Sequence, residues 1–152
     1  MIYNEYWQVV DAGVKEADLI TFFYEEQGVA SLEDGLYVLE SNLKDPAFVK
    51  RMAKFLKATF KGWNDAVKNP TEAAQIVVKA DTSGSAKEAV QKRQMENVAK
   101  LISTAGTPKM GYLEPAAYER TVKVLLSSGS SPVIKKDPGK AGYSHAVWEA
   151  AK

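Results

Sequence analysis

Apolar and polar positions alternate with helical spacing most clearly between residues 45 and 79. Phe48, Met52, Phe55, Leu56, Thr59, Phe60, Trp63 and Val67 recur on one side, while Lys50, Lys54, Lys57 and Lys61 fall off that stripe. The stretch is punctuated twice, by Asp45-Pro46 and by Asn69-Pro70. Each pair sets a capping side chain ahead of a proline, whose missing N–H and fixed φ suit the first helical position. Two helices joined by a short turn are therefore expected here, each packed on one face.

Downstream the helical reading continues. Asp81 to Ser85 is a polar turn, and residues 86–105 carry Val90, Met95, Val98, Leu101 and Ile102 on one side, with Gly106 as C-cap. Glu114-Pro115 opens a further helix through Leu126, ended by the serine-rich run before Pro132. Asp137-Pro138-Gly139 forms a turn, and Ser144 caps a short last helix over residues 145–151. Upstream the pattern changes. Met1-Ile2-Tyr3 reads as the end of a strand entering a loop, and Val9 to Ala12 as a helical turn closed by Gly13. Leu19-Ile20-Thr21-Phe22-Phe23 reads as a buried strand, with Leu36-Tyr37-Val38-Leu39 a weaker one. The expected fold class is α/β, dominated by helices, with hinge and strand segments in residues 1–40 and a helical part in 41–152.

Composition narrows the function classes. The 152 residues can bury one real core. Lys+Arg 20 against Asp+Glu 19 leaves a net charge of +1, so no global field points to nucleic acid or an anionic membrane. With no cysteine, disulfides and thiolate chemistry are out. No apolar run approaches the roughly 20 residues of a membrane helix, and with no basic segment followed by an apolar one, no secretion signal is expected within these residues.

Several pieces, read in order, carry a resemblance. They are Tyr3-Asn4-Glu5-Tyr6-Trp7, Phe23-Tyr24-Glu25-Glu26-Gln27-Gly28-Val29, Lys57-Ala58-Thr59-Phe60-Lys61-Gly62-Trp63, Asn69-Pro70-Thr71-Glu72-Ala73-Ala74 and Gly111-Tyr112-Leu113-Glu114. Together they resemble the C-terminal half of an ABC-importer solute-binding protein of the thiamine-pyrimidine-precursor type, related to nitrate and taurine binders. The resemblance implies a two-lobed fold of the periplasmic binding protein type, with a small solute held between the lobes. It also implies an extracytoplasmic location, a permease partner, and no enzymatic activity. A related family makes the thiamine pyrimidine from its own histidine and bound pyridoxal phosphate. A fragment of that enzyme is one alternative reading, although its lysine and histidine are expected in an N-terminal portion outside the given sequence; an interaction fragment without ligand-binding activity is the other.

Candidate site residues follow. Asn4, Glu5, Tyr6 and Trp7 come after the expected strand end, where loops of open α/β sheets line the ligand crevice. Glu5 can accept from an exocyclic amine, Asn4 can donate and accept, and an aromatic ring can stack on a heterocycle. The competing reading is a hinge loop packed between lobes. Tyr24 lies at a second crossing, beside Glu25 and Glu26, for which a solvated acidic loop is the plainer reading. His145, the single histidine, reads as a surface or capping group, and no partner at suggestive spacing makes it a metal ligand. Trp63 and Trp148 read as core, and the lysine stripe as a solvated helix face. No glycine set forms a phosphate or dinucleotide loop, and no cofactor is expected. Because the stripe and the strands lack the rest of such a receptor, a homodimer covering them is expected.

Overall fold

The computed structural model describes residues 1–105, 109–127 and 129–152. Its helices are α1 (Glu5–Asp11), α2 (Pro46–Lys68), α3 (Pro70–Ala80), α4 (Glu88–Ala105), α5 (Pro115–Ser127) and α6 (Ala146–Ala150). Three-ten turns occupy Glu16–Asp18, Glu40–Lys44 and Gly139–Gly142. The residues form two compact units: Met1–Ile20 with Ala58–Met110, and Thr21–Lys57 with Gly111–Lys152.

The proline-marked starts behave as their local chemistry dictates, with one difference between them. Asp45 Oδ1 accepts the Ala47 N–H at 2.8 Å, and the Asp45 carbonyl takes the Val49 N–H at 3.1 Å. That is a side-chain cap closing the first turn of α2. Asn69 makes no such bond; its amide N–H donates to Asp65 Oδ1 at 3.1 Å, one turn back on α2.

In the first unit α3 packs on α4 across the turn after Ala80. Asp81 organises that turn: Oδ1 accepts the Ser83 N–H (2.8 Å) and hydroxyl (2.6 Å), and Oδ2 accepts the Ala86 N–H at 2.7 Å. Small side chains sit at the buried positions, Ala74 on α3 at 1% exposure and Ala99 on α4 at 8%. In the second unit α5 buries Val122, and the N-terminal half of α2 buries Ala53 and Leu56.

The buried set is thin. Among the described residues it comprises Ala53, Leu56, Ala74, Ala99, Val122 and Ala151, so only Leu56 and Val122 contribute large side chains. Phe55 and Trp63 of the expected apolar stripe lie outward, at 52% and 40% exposure. The turn-by-turn pattern was right about the helix, but a stripe is buried only where another element covers it.

No strand occurs among the described residues, so the α/β part of the expectation is not met in this chain and the helix-dominated part is. Residues 1–3 enter a turn that leads into α1. Residues 19–23 and 36–39 lack any ladder, and their side chains stand in solvent: Ile20 85%, Phe22 72%, Leu36 60% and Tyr37 85% exposed. The physical reason is that a strand is stabilised by a neighbour that pairs its N–H and C=O groups, and β-branched composition cannot supply one. The predicted C-cap Gly106 lies outside the described residues.

Candidate functional site

The polar-aromatic group at the chain start is helical rather than a loop. Asn4 is the N-cap residue of α1, and its carbonyl accepts the N–H groups of Trp7 (3.0 Å) and Gln8 (3.2 Å). Its side-chain oxygen takes a hydrogen bond from Gln8 Nε2 at 2.8 Å. Gly13, with φ +96°, gives the chain the left-handed turn that closes the helix.

Each candidate in this group has a defined partner. Glu5 pairs with the amino terminus at 3.0 Å. That hydrogen bond, followed by one from its own backbone N–H, holds its carboxyl below the usual range. The Tyr6 hydroxyl donates to Glu16 Oε2 at 2.8 Å, a bond that raises the phenol above its ordinary value. Trp7 stands edge-on to Tyr6, with centroids 5.0 Å apart and planes at 88°. Arg93 of α4 covers the Trp7 ring at 5.5 Å and pairs with Asp11, the last residue of α1. One arginine therefore ties both the ring and the C-terminal end of α1 to α4.

Trp7 carries one unresolved demand. Its indole N–H is shut off from solvent and has no acceptor. A buried donor left unpaired costs about 1–3 kcal/mol, so an acceptor is expected there.

Tyr24, the remaining candidate, belongs to the second unit and is 68% exposed. It starts a turn in which its carbonyl accepts the Val29 N–H at 3.0 Å. The neighbouring Glu25 reaches Arg120 at 3.9 Å, and Arg120 Nε donates to the Ala30 carbonyl at 2.9 Å. Asn4, Glu5, Tyr6 and Trp7 are thus brought together, whereas Tyr24 is placed in the other unit.

A second cluster was not visible in the sequence. Tyr112 stacks on His145 with centroids 4.4 Å apart and meets Trp148 at a tilt of 58° at 4.8 Å, while Tyr118 meets Tyr143 at 4.7 Å. His145 Nε2 lies 2.8 Å from the Leu113 carbonyl, which can only accept, so the ring nitrogen is the donor. The histidine is thus the N-cap residue of α6, where its carbonyl accepts the Glu149 N–H at 2.8 Å, and its ring is a link within an aromatic cluster. Beside it, Tyr118, Val122, Lys123, Asp137, Lys140 and Tyr143 line a cavity of about 230 Å³, below the usual size of a drug-sized ligand site. The cavity residues come from α5 and from residues 137–143, and the rings add Tyr112 from before α5 and Trp148 from α6, so no single period connects them.

Among the described residues no group of three or more His, Asp or Glu side chains could hold a metal, and no helix is long and apolar enough to cross a membrane. Residues 1–73 match the model of the family described as NMT1/THI5 like. The match takes in α1, the extended segment, α2 and the first turn of α3. No curated protein and no solved structure matches the chain.

Proposed function

We propose that this chain is the C-terminal portion of a two-lobed solute-binding protein, the receptor component of an ABC importer. The observation that carries the reading is the NMT1/THI5-like match over residues 1–73, the stretch that also holds the polar-aromatic group of α1. In this reading the complete protein has the α/β periplasmic-binding fold, works outside the cytoplasm, passes its solute to a membrane permease and catalyses no reaction. The solute is a small aromatic heterocycle, with a thiamine-pyrimidine precursor first in line. The segments at residues 19–23 and 36–39 then become strands when the rest of the sheet pairs with them.

The chemistry of α1 supports this reading. The unpaired Trp7 N–H offers a donor to a ring nitrogen or carbonyl of the solute. Glu5 is held by the amino terminus, and in a longer polypeptide that ammonium would be an amide, leaving the carboxylate to accept from an exocyclic amine. His145, the single histidine, is engaged with the Leu113 carbonyl and Tyr112.

Calorimetric titration of the full-length protein with pyrimidines, taurine and nitrate tests the proposal. Binding of an aminopyrimidine, weakened by about 1–3 kcal/mol in both Trp7→Phe and Glu5→Ala, is the expected result. Tight binding that neither substitution alters would remove α1 from the site, and no binding of any of these solutes would overturn the receptor reading.

A further inference from the structure

The N-terminal half of α2 borders an open groove of about 520 Å³. Its lining is mostly apolar and includes Leu43, Val49 and Ala53 together with Lys50, Lys54 and Lys57. The three lysines sit at i, i+4 and i+7, so they project from one helix face. All are exposed, and none has an ion-pair or hydrogen-bond partner among the described residues. A row of unpaired ammonium groups in a mostly apolar lining suits a partner that is apolar in the middle and acidic at its ends.

The same unit contains such a segment. Between residues 21 and 40 there is no lysine or arginine, while Glu25, Glu26, Glu33, Asp34 and Glu40 are all acidic. Within it, residues 35–39 form an arm outside any helix or strand, with extended backbone at Leu39, on which Leu36, Tyr37 and Leu39 are 60%, 85% and 70% exposed. Glu33 and Asp34 flank this arm on one side and Glu40 on the other, and none of the three is ion-paired among the described residues. No residue of the arm lines the groove of its own chain. From Asp34 to Glu40 an extended chain spans about 20 Å. The lysine row covers about 10 Å of helix, and the long flexible stems extend that reach at both ends.

We propose that two copies of this chain exchange these arms: residues 35–39 of each copy lie in the α2 groove of the other, with the flanking carboxylates on Lys50, Lys54 and Lys57. Because each copy has one arm and one groove, a two-fold arrangement satisfies both and closes the assembly at a dimer. The exchange covers apolar side chains that a monomer rarely leaves exposed, and pairs charges that are otherwise solvated. It concerns the 152-residue chain; in a complete receptor the same residues 36–39 would instead pair into the sheet.

Sedimentation velocity on the 152-residue chain over a dilution series is the direct test, supported by a charge exchange. The expected result is a dimer whose affinity falls at least about tenfold in K50E/K54E/K57E and likewise in E33K/D34K/E40K, by like-charge opposition. Mixing the two variants should restore the dimer, since each acidic arm then meets a basic groove and each basic arm an acidic one. Circular dichroism of the separate variants checks that both keep the helical fold. A parent chain that is monomeric throughout overturns the proposal. So does a dimer indifferent to both charge reversals, or folded variants that fail to rescue one another.

Discussion

The hydroxyl of Tyr118 occupies the space that a β-carbon on Gly142 would need. It is held there by donating to the Gly139 carbonyl at 3.0 Å, so α5 and the Gly139–Gly142 turn meet through one phenol. The same enclosure, with the Asp137 charge and Tyr143 nearby, raises the Tyr118 phenol above its ordinary range. Gly142→Ala should therefore destabilise the fold by about 1–3 kcal/mol, as overpacking does. In Tyr118→Phe the clash is partly relieved, so urea melts of a double-mutant cycle should show the two changes to be non-additive. Simple additivity would mean the turn moves away freely.

Arg93 should matter through α1 rather than through its own exposed end. Arg93→Ala removes the cover on Trp7 and the pair to Asp11 together. Both contacts are partly solvated, so the expected loss is modest, about 1 kcal/mol. The sharper readout is fluorescence in a Trp63→Phe, Trp148→Phe background, where uncovering Trp7 should shift its emission to the red. Asp11→Ala alone should shift it less.

Asp81 gives the chain an acid-sensitive turn. Hydrogen bonds from Ser83 and then from the Ala86 N–H bring its carboxyl from 3.8 down to about 2. A folded-state pKa below the unfolded one stabilises the fold above the unfolded value, and that stabilisation is lost as pH falls toward the folded one. In Asp81→Asn an amide N–H₂ replaces one acceptor and faces the Ala86 N–H. The stability difference between parent and variant should thus hold level above about pH 4 and shrink between about 4 and 2. A difference that persists unchanged at pH 2 would show that the charge is not what organises the turn.

His145 combines a stack and a hydrogen bond, and these can be separated. His145→Phe keeps a ring against Tyr112 but leaves the Leu113 carbonyl without its donor, for an expected loss of about 0.5–1.5 kcal/mol. His145→Ala removes both and should cost more, about 1–3 kcal/mol. Nitrogen-15 NMR of the neutral ring should find the proton on Nε2. Finding it on Nδ1 would mean that the Leu113 contact is not a hydrogen bond.

The helices after Asp45 were legible in the sequence because their determinants are local. A cap, a proline at the first position and an apolar side chain every three or four residues act within one or two turns, and Asp45, Pro46 and Pro70 do what that chemistry requires. The candidate group Asn4-Glu5-Tyr6-Trp7 was legible as an unusual run of polar and aromatic residues, although not as a helix. Non-local partners decided the rest. Whether residues 19–23 and 36–39 become strands depends on a neighbour to pair with, which no property of those residues supplies. Whether Phe55 and Trp63 are core depends on what covers that side of α2. Trp7 gained Arg93 from far along the chain. The cluster of Tyr112, Tyr118, Tyr143, His145 and Trp148 has no sequence period, because folding alone brings together the residues before α5, α5 itself, the stretch ahead of α6 and α6. Local hydrogen bonds and capping act over a few residues and can be read in order along the chain. Pairing and coverage act across space, so only the tertiary structure assigns them.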